Sequence, residues 1–283
     1  MAHAASAPPA ASAPPASYRV ADLVAALESI APERFAEPWD NVGLLVGDPA
    51  ARLGHTLLCI DLTREVLAEA LVANAANAAS AVVVVAYHPP IFRPLKRLTA
   101  GSLAYDLVRA GVAVYSPHTA LDMARGGTND ALAEALGLTE CQPLRKGQAP
   151  GEWPEGWGLG RVGRVEGTTR GAFVEHIKSA LGLEALLVAG PFDGEVRRVA
   201  VGAGACGDLL DDVIAAGADV YVTGEVRHHD ALRAAEAGLT LVCTLHSNSE
   251  RGALARLGER LAAKLPGLSW ALSGADADPF RVR

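Results

Sequence analysis

Residues Ala237–Glu250, AGLTLVCTLHSNSE, decide the reading of this chain, because Ala110–Asp122, AGVAVYSPHTALD, repeats them in outline. Each copy runs Ala-Gly, then a short apolar stretch, then a histidine followed four residues later by a carboxylate. His118 is answered by Asp122, and His246 by Glu250. A run rich in Val, Leu, Tyr and Thr after a glycine reads as a buried strand. Each histidine therefore stands just past the carboxyl end of a strand, where open α/β sheets bind ligands.

Working outward, the same order of elements surrounds both copies. In the first half, strands at Thr56–Asp61, Ala81–Ala86 and Val112–Tyr115 alternate with helices at Arg64–Asn77 and Leu103–Arg109. In the second, strands at Val196–Val201, Asp219–Thr223 and Leu239–Thr244 alternate with helices at Leu209–Ala216 and His228–Ala237. Four consecutive valines at 82–85 predict a strand buried on both faces. The sharpest break in composition, 139–160, is rich in Gly and Pro around Trp153 and Trp157 and reads as a linker. The organisation expected is an Ala/Pro-rich disordered tail at 1–17, a first α/β repeat at 18–138, the linker, and a second α/β repeat at 161–283. A duplication of this kind sets equivalent strand ends facing each other across a pseudo-symmetric seam, with 18–283 forming one integrated domain.

Composition narrows the function. With 283 residues, half of them hydrophobic, the chain can bury a substantial core. A net charge of −7 argues against nucleic acid or an anionic membrane surface as the main partner. No apolar run approaches the roughly 20 residues that span a bilayer. Cys59, Cys141, Cys206 and Cys243 show no CxxC spacing and read as reduced thiols of a cytoplasmic protein. The first 17 residues carry no Lys or Arg, so neither a secretory signal nor a transit peptide fits them.

His88, delivered by the valine strand, joins Asp122, His246 and Glu250 as residues of metal-ligand type at strand ends. Two imidazoles and two carboxylates suit Zn²⁺, Fe²⁺ or Mn²⁺. Each also has a plain structural reading: Ser247-x-x-Glu250 is a capping-box pattern, Asp122 fits a turn, and His88 fits a satisfied loop residue. Their coincidence at strand ends in two matching halves favours a shared site. Gly202–Gly207, GAGACG, competes: it follows a strand and opens a helix, with Glu225 downstream at a distance suited to a ribose. It points to a dinucleotide-binding oxidoreductase, or to a helix start that holds an anion. Glu225, His228 and His229 form a third polar group with acid–base chemistry, and Arg93, Lys96 and Arg97 form either a phosphate contact or a solvated face. Thr128 or Asn129 is the expected cap of the helix after Gly126-Gly127.

The motifs PWDNVGLLVGDP, YHPPIFRPLKRLT, SPHTALD, GGTNDALAEALGL, VGAGACGDLLDDVIAAGADVYVTGEVRHHDA and LHSNSERGAL together resemble the NIF-three-like family, the type-2 GTP cyclohydrolase homologues. The resemblance runs from about Tyr18 to Phe280. It implies two intertwined α/β repeats with mixed sheets, a dinuclear metal centre in the cleft between them, and a toroidal homohexamer. Carried across, the ligands are His88, Asp122, His246 and Glu250. Tyr87 stands where the family has the first histidine of a pair, a variation resembling the eukaryotic branch, which leaves one or two divalent ions per chain. The activity implied is that of a metal-dependent hydrolase of a small, phosphate-bearing molecule, with His118 or Glu225 moving a proton. The alternative is a non-enzymatic metal-binding scaffold or regulatory protein.

Overall fold

The computed structural model describes residues 17–75, 80–148 and 150–283, so residues 1–16 of the Ala/Pro-rich stretch lie outside the described residues. The chain opens with α1 (Val20–Ile30), whose Val20, Leu23, Leu27 and Ile30 recur at helical spacing and are all buried. There follow β1 (Gly43–Val46), β2 (Leu53–Cys59), α2 (Arg64–Ala75), β3 (Ala81–Ala86), α3 (Leu103–Ala110), β4 (Ala113–Ser116), α4 (His118–Met123) and α5 (Thr128–Ala135). The second half comprises β5 (Thr139–Gln142), β6 (Arg161–Thr169), α6 (Arg170–Ala180), β7 (Leu187–Ala189), β8 (Glu195–Gly202), α7 (Leu210–Ala215), β9 (Val220–Thr223), α8 (His228–Glu236), β10 (Thr240–Cys243), α9 (Gly252–Lys264) and β11 (Trp270–Leu272).

Among the described residues the strands form two mixed sheets, ordered β1-β4-β3-β2-β11 and β5-β6-β8-β9-β10-β7. Each contains three adjacent parallel strands, β2-β3-β4 in one and β8-β9-β10 in the other. In each, an antiparallel strand, β1 or β7, flanks the third of them. Over these four strands the two sheets repeat one another. The outer strands are exchanged: β11, which follows the second set, pairs with β2 of the first sheet, while β5 and β6, which follow the first set, extend the second sheet. That exchange is the intertwining of the two repeats.

The valine strand shows why the sheet is buried on both sides. Side chains alternate across a strand, so Val83, Val85 and Tyr87 pack with α1 and α9, whereas Val82, Val84 and Ala86 pack with α2 and α3. The described residues of 139–160 fold back onto the body. Thr139–Gln142 is a strand, Arg145 bridges Leu159, and Trp153 and Trp157 lie 4.7 and 5.0 Å from the Phe35 ring. Arg161, only 1% exposed, closes this segment by pairing with Asp130 at 2.6 Å and donating to the carbonyls of Gly158 and Gly160 at 2.7 Å each. No described helix is long and apolar enough to cross a membrane.

Candidate metal centre

The carboxyl ends of the two parallel strand sets meet at one cleft. β3 delivers Tyr87 and His88, β4 runs into α4 with His118 and Asp122, and β10 runs into a 3-10 turn, Ser247–Ser249, flanked by His246 and Glu250. The long final helix begins at Gly252, so the His246–Glu250 pair sits on a tight turn ahead of it. Both motifs carry backbone strain at the same place: His118 has φ +24° and Leu245, next to His246, has φ +70°. Such conformations in non-glycine residues persist only where surrounding structure enforces them.

His88, His246 and Glu250 each direct one donor atom into a space no wider than 4.8 Å. His246 Nε2 lies 3.3 Å from Glu250 Oε1, and His88 Nε2 lies 3.4 Å from Glu250 Oε2. The latter approach is within ion-pair range but off hydrogen-bond geometry, so Oε2 of this 2%-exposed side chain has no hydrogen-bond partner. The other ring nitrogens are committed. His88 Nδ1 meets Asp61 Oδ1 at 2.9 Å and His246 Nδ1 meets Glu225 Oε1 at 2.8 Å. An ionised carboxylate can only accept, so each Nδ1 carries the proton and each Nε2 is left facing Glu250.

Charge is concentrated here. Burial alone lowers the His88 pKa, but Asp61 and Glu250 together outweigh it and push the ring up to about 10. Hydrogen bonding to Glu250 raises His246 to about 9 against the effect of burial. Burial raises Glu250, yet the two imidazoles pull it below the usual carboxylate range. Burial pushes Asp122 up to about 6, opposed by His118 and by the Tyr87 hydroxyl that donates to its Oδ1. A buried carboxylate oxygen without a partner and two imidazoles held with Nε2 toward it form a donor set that suits a divalent cation of borderline hardness.

The other sequence candidates divide. His118 and Asp122 line the same cavity, of about 790 Å³, as Glu225, His246 and Glu250. The His118 ring lies 5.4 Å from that of His88, and its Nδ1 is held by Asp40 Oδ1 at 2.8 Å. Tyr87 is buried, and its hydroxyl is occupied by Asp122, so it enters the site as a donor to that carboxylate. Glu225 reaches His246 Nδ1. His228, His229, Arg93, Lys96 and Arg97 are exposed. Sequence reasoning missed Asp61 and Asp40. For Asp61 a signal existed in strand register: Cys59 pairs with Ala86, so Asp61 and His88 each lie two residues beyond the same rung.

Three local readings are corrected. Ser247 Oγ donates to Asp278 Oδ2 at 2.6 Å, so Ser247 and Glu250 do not form the capping box and the Glu250 carboxylate is free to face the histidines. The cap of α5 is Gly127. Asn129 lies within the helix, fully buried, donating to the Asp122 carbonyl at 3.0 Å and accepting from Ala203 N at 2.9 Å. In the GAGACG loop the Ala203 and Gly204 amides are spent on Asn129 and Ser249, and a 3-10 turn, Gly207–Leu209, leads from it into α7. Gly204, with φ +75°, brings backbone against the centre: an added Cβ would stand 2.7 Å from Glu250 Oε1. The glycine there serves close approach to the donor cluster.

The comparisons agree with this architecture. The family described as Duf34/NIF3 (NGG1p interacting factor 3) matches residues 18–279. A Schizosaccharomyces pombe protein named Protein NIF3 homolog is 36% identical over 239 residues, covering 81% of this chain and 83% of the relative. A Lactococcus lactis protein named GTP cyclohydrolase 1 type 2 homolog is 33% identical over 229 residues, covering 78% and 83%. The crystal structure of a Bacillus cereus protein related to NIF3 superposes with a TM-score of 0.80 at 24% identity, over 95% of this chain and all of the other, and speaks to the fold alone. With its doubled α/β plan, exchanged outer strands and a match across nearly all of the described residues, the chain belongs to the Duf34/NIF3 family.

Proposed function

We propose that this chain binds one or two divalent cations, Zn²⁺, Fe²⁺ or Mn²⁺, through His88, His246, Glu250 and Asp122, and acts as a metal-dependent hydrolase. The observation that carries the reading is the buried Glu250 carboxylate, whose Oε2 makes no hydrogen bond and whose two oxygens are faced by imidazoles with their far nitrogens already held. A divalent ion bound there supplies Lewis acidity toward a polarised substrate oxygen. Asp61 and Glu225 keep the two rings oriented, and the backbone at Gly204 closes one side of the centre against Glu250. His118, braced by Asp40 and lining the cavity, is placed to hold or pass a proton at Nε2, with Glu225 as the alternative through its exposed oxygen. The proposed substrate is a small molecule, the proposed location cytoplasmic, and the proposed assembly the homohexamer that the resemblance implies. The name GTP cyclohydrolase 1 type 2 homolog, borne by a relative, supports a phosphate-bearing substrate.

A second reading, a metal-binding scaffold without turnover, is favoured by the cavity's charge. Its lining sets seven carboxylates against three guanidiniums, a field that draws cations and opposes polyanions. Replacing His246 by Ala together with Glu250 by Gln, followed by reconstitution with Zn²⁺ and elemental analysis, tests the centre. Stoichiometric metal is expected in the parent and absent in the double variant; full retention refutes the assignment. Turnover of nucleotides and phosphoesters with Mn²⁺, Zn²⁺ and Fe²⁺ separates the two readings, since metal-dependent product in none of them supports the scaffold.

A further inference from the structure

The residues that would hold the cation come from different sheets, and among the described residues no ladder hydrogen bond joins those sheets. Side-chain contacts do, among them the Asn129 bridge to Ala203 and, on the other side, the segment that leaves β11. Ser273 N donates to Leu58 O at 2.8 Å, and the carboxylate of Glu69 on α2 accepts the amides of Gly274 and Ala275 at 3.0 and 3.2 Å, fixing the start of this segment along β2. Asp276 then turns inward, its side chain only 3% exposed. Its Oδ2 accepts Ile60 N at 2.7 Å and Arg251 Nη1 at 2.8 Å; its Oδ1 accepts Asp61 N and Arg251 Nη2, each at 3.4 Å. Two residues on, Asp278 Oδ2 accepts Ser247 Oγ at 2.6 Å.

These contacts fall on the chain neighbours of the donor cluster. Asp61 holds His88, Arg251 follows Glu250, and Ser247 follows His246. One buried carboxylate thus grips the backbone that carries the His88 partner and the guanidinium adjoining Glu250. Charge-assisted bonds of this kind are short and directional, and a site displaced by about 1 Å loses much of its function.

We propose that the segment Ser273–Asp278 is a strap that sets the spacing between the two ligand-bearing elements, with Asp276 as a positioning residue for the metal centre. The inference rests on the cation-binding reading above. Asp276 touches neither His88, His246 nor Glu250, so its effect reaches the ion through Asp61 and Arg251.

Co²⁺ titration followed by visible absorption tests this, because the ligand-field bands report donor geometry as well as occupancy. Against the parent, Asp276→Asn is expected to weaken Co²⁺ about tenfold, the loss typical of groups that orient ligands, and to change the band envelope. Circular dichroism of the chelator-treated variant is expected to stay native. The paired variant Ser247→Ala with Asp278→Asn, which leaves Asp276 in place, is expected to weaken Co²⁺ about threefold and carries the test should Asp276→Asn not fold. Folded variants with parental affinity and parental bands overturn the strap while leaving the cation site standing. A parent that binds no Co²⁺ overturns both.

Discussion

Three histidines at this cleft share one device: each presents Nδ1 to a carboxylate, His88 to Asp61, His118 to Asp40 and His246 to Glu225. The partner fixes ring orientation and tautomer, so removing its charge should weaken the metal without unfolding the protein. Asp61→Asn is expected to reduce Zn²⁺ affinity about 10- to 100-fold in a chelator competition. The pH dependence follows from the same contacts. With His88 at about 10 and His246 at about 9, both rings are protonated in the cation-free protein at neutral pH. Their folded values lie above the ordinary 6.5, so the stability they add is full below about pH 6.5 and is lost as pH rises through 9 to 10. Asp122, raised to about 6, likewise favours the fold in its protonated form and loses that contribution as pH rises through 6. A cation must displace the imidazolium protons, so apparent affinity is expected to climb by up to about 100-fold per pH unit from pH 6.5 toward 9. Calorimetry in buffers of different ionisation enthalpy should count about two protons released at pH 7; none released would mean the rings are already neutral.

At the level of elements, α4, α5 and the loop after β8 are locked by Asn129, which bridges the Asp122 carbonyl and the Ala203 amide from inside the protein. Asn129→Leu strands both groups away from water and is expected to cost about 2–4 kcal/mol in urea denaturation. Gly204→Ala places a methyl group against Glu250 at a positive φ. It is expected to lower metal stoichiometry more than it lowers the unfolding midpoint of the chelator-treated protein. Both outcomes belong to the junction between elements. The elements themselves are legible from period and punctuation, as the valines of β3 and the Gly111 and Gly238 turns before β4 and β10 show. Their junction is not, because Asn129 looks like a helix cap until Ala203 is seen beside it.

For the molecule as a whole, the exchange of outer strands makes each half depend on the other. β11 completes the first sheet against β2, and α9 buries Leu254, Leu257 and Leu261 in the core shared with α1. A fragment of residues 18–160 loses that strand and that helix and is expected to show no cooperative melt by circular dichroism, whereas the full chain unfolds in one transition. Saturating Zn²⁺ is expected to raise that transition if the proposed ligands, which span both halves, come together only in the folded state.

The order of elements within each set of three parallel strands, the doubling and the residue types gathered at strand ends are legible in the sequence, because alternation, glycine punctuation and the His-x3-carboxylate echo are local patterns; the strands at Thr139–Gln142 and Trp270–Leu272 are not. Folding in three dimensions settles which carboxylate braces which imidazole, that Glu250 faces the histidines while Ser247 turns to Asp278, and that Asp276 reaches Ile60 from 216 residues away. Those pairings arise where two sheets meet. An acid that will orient a ligand and one that will merely be solvated look the same until the chain brings a partner to it.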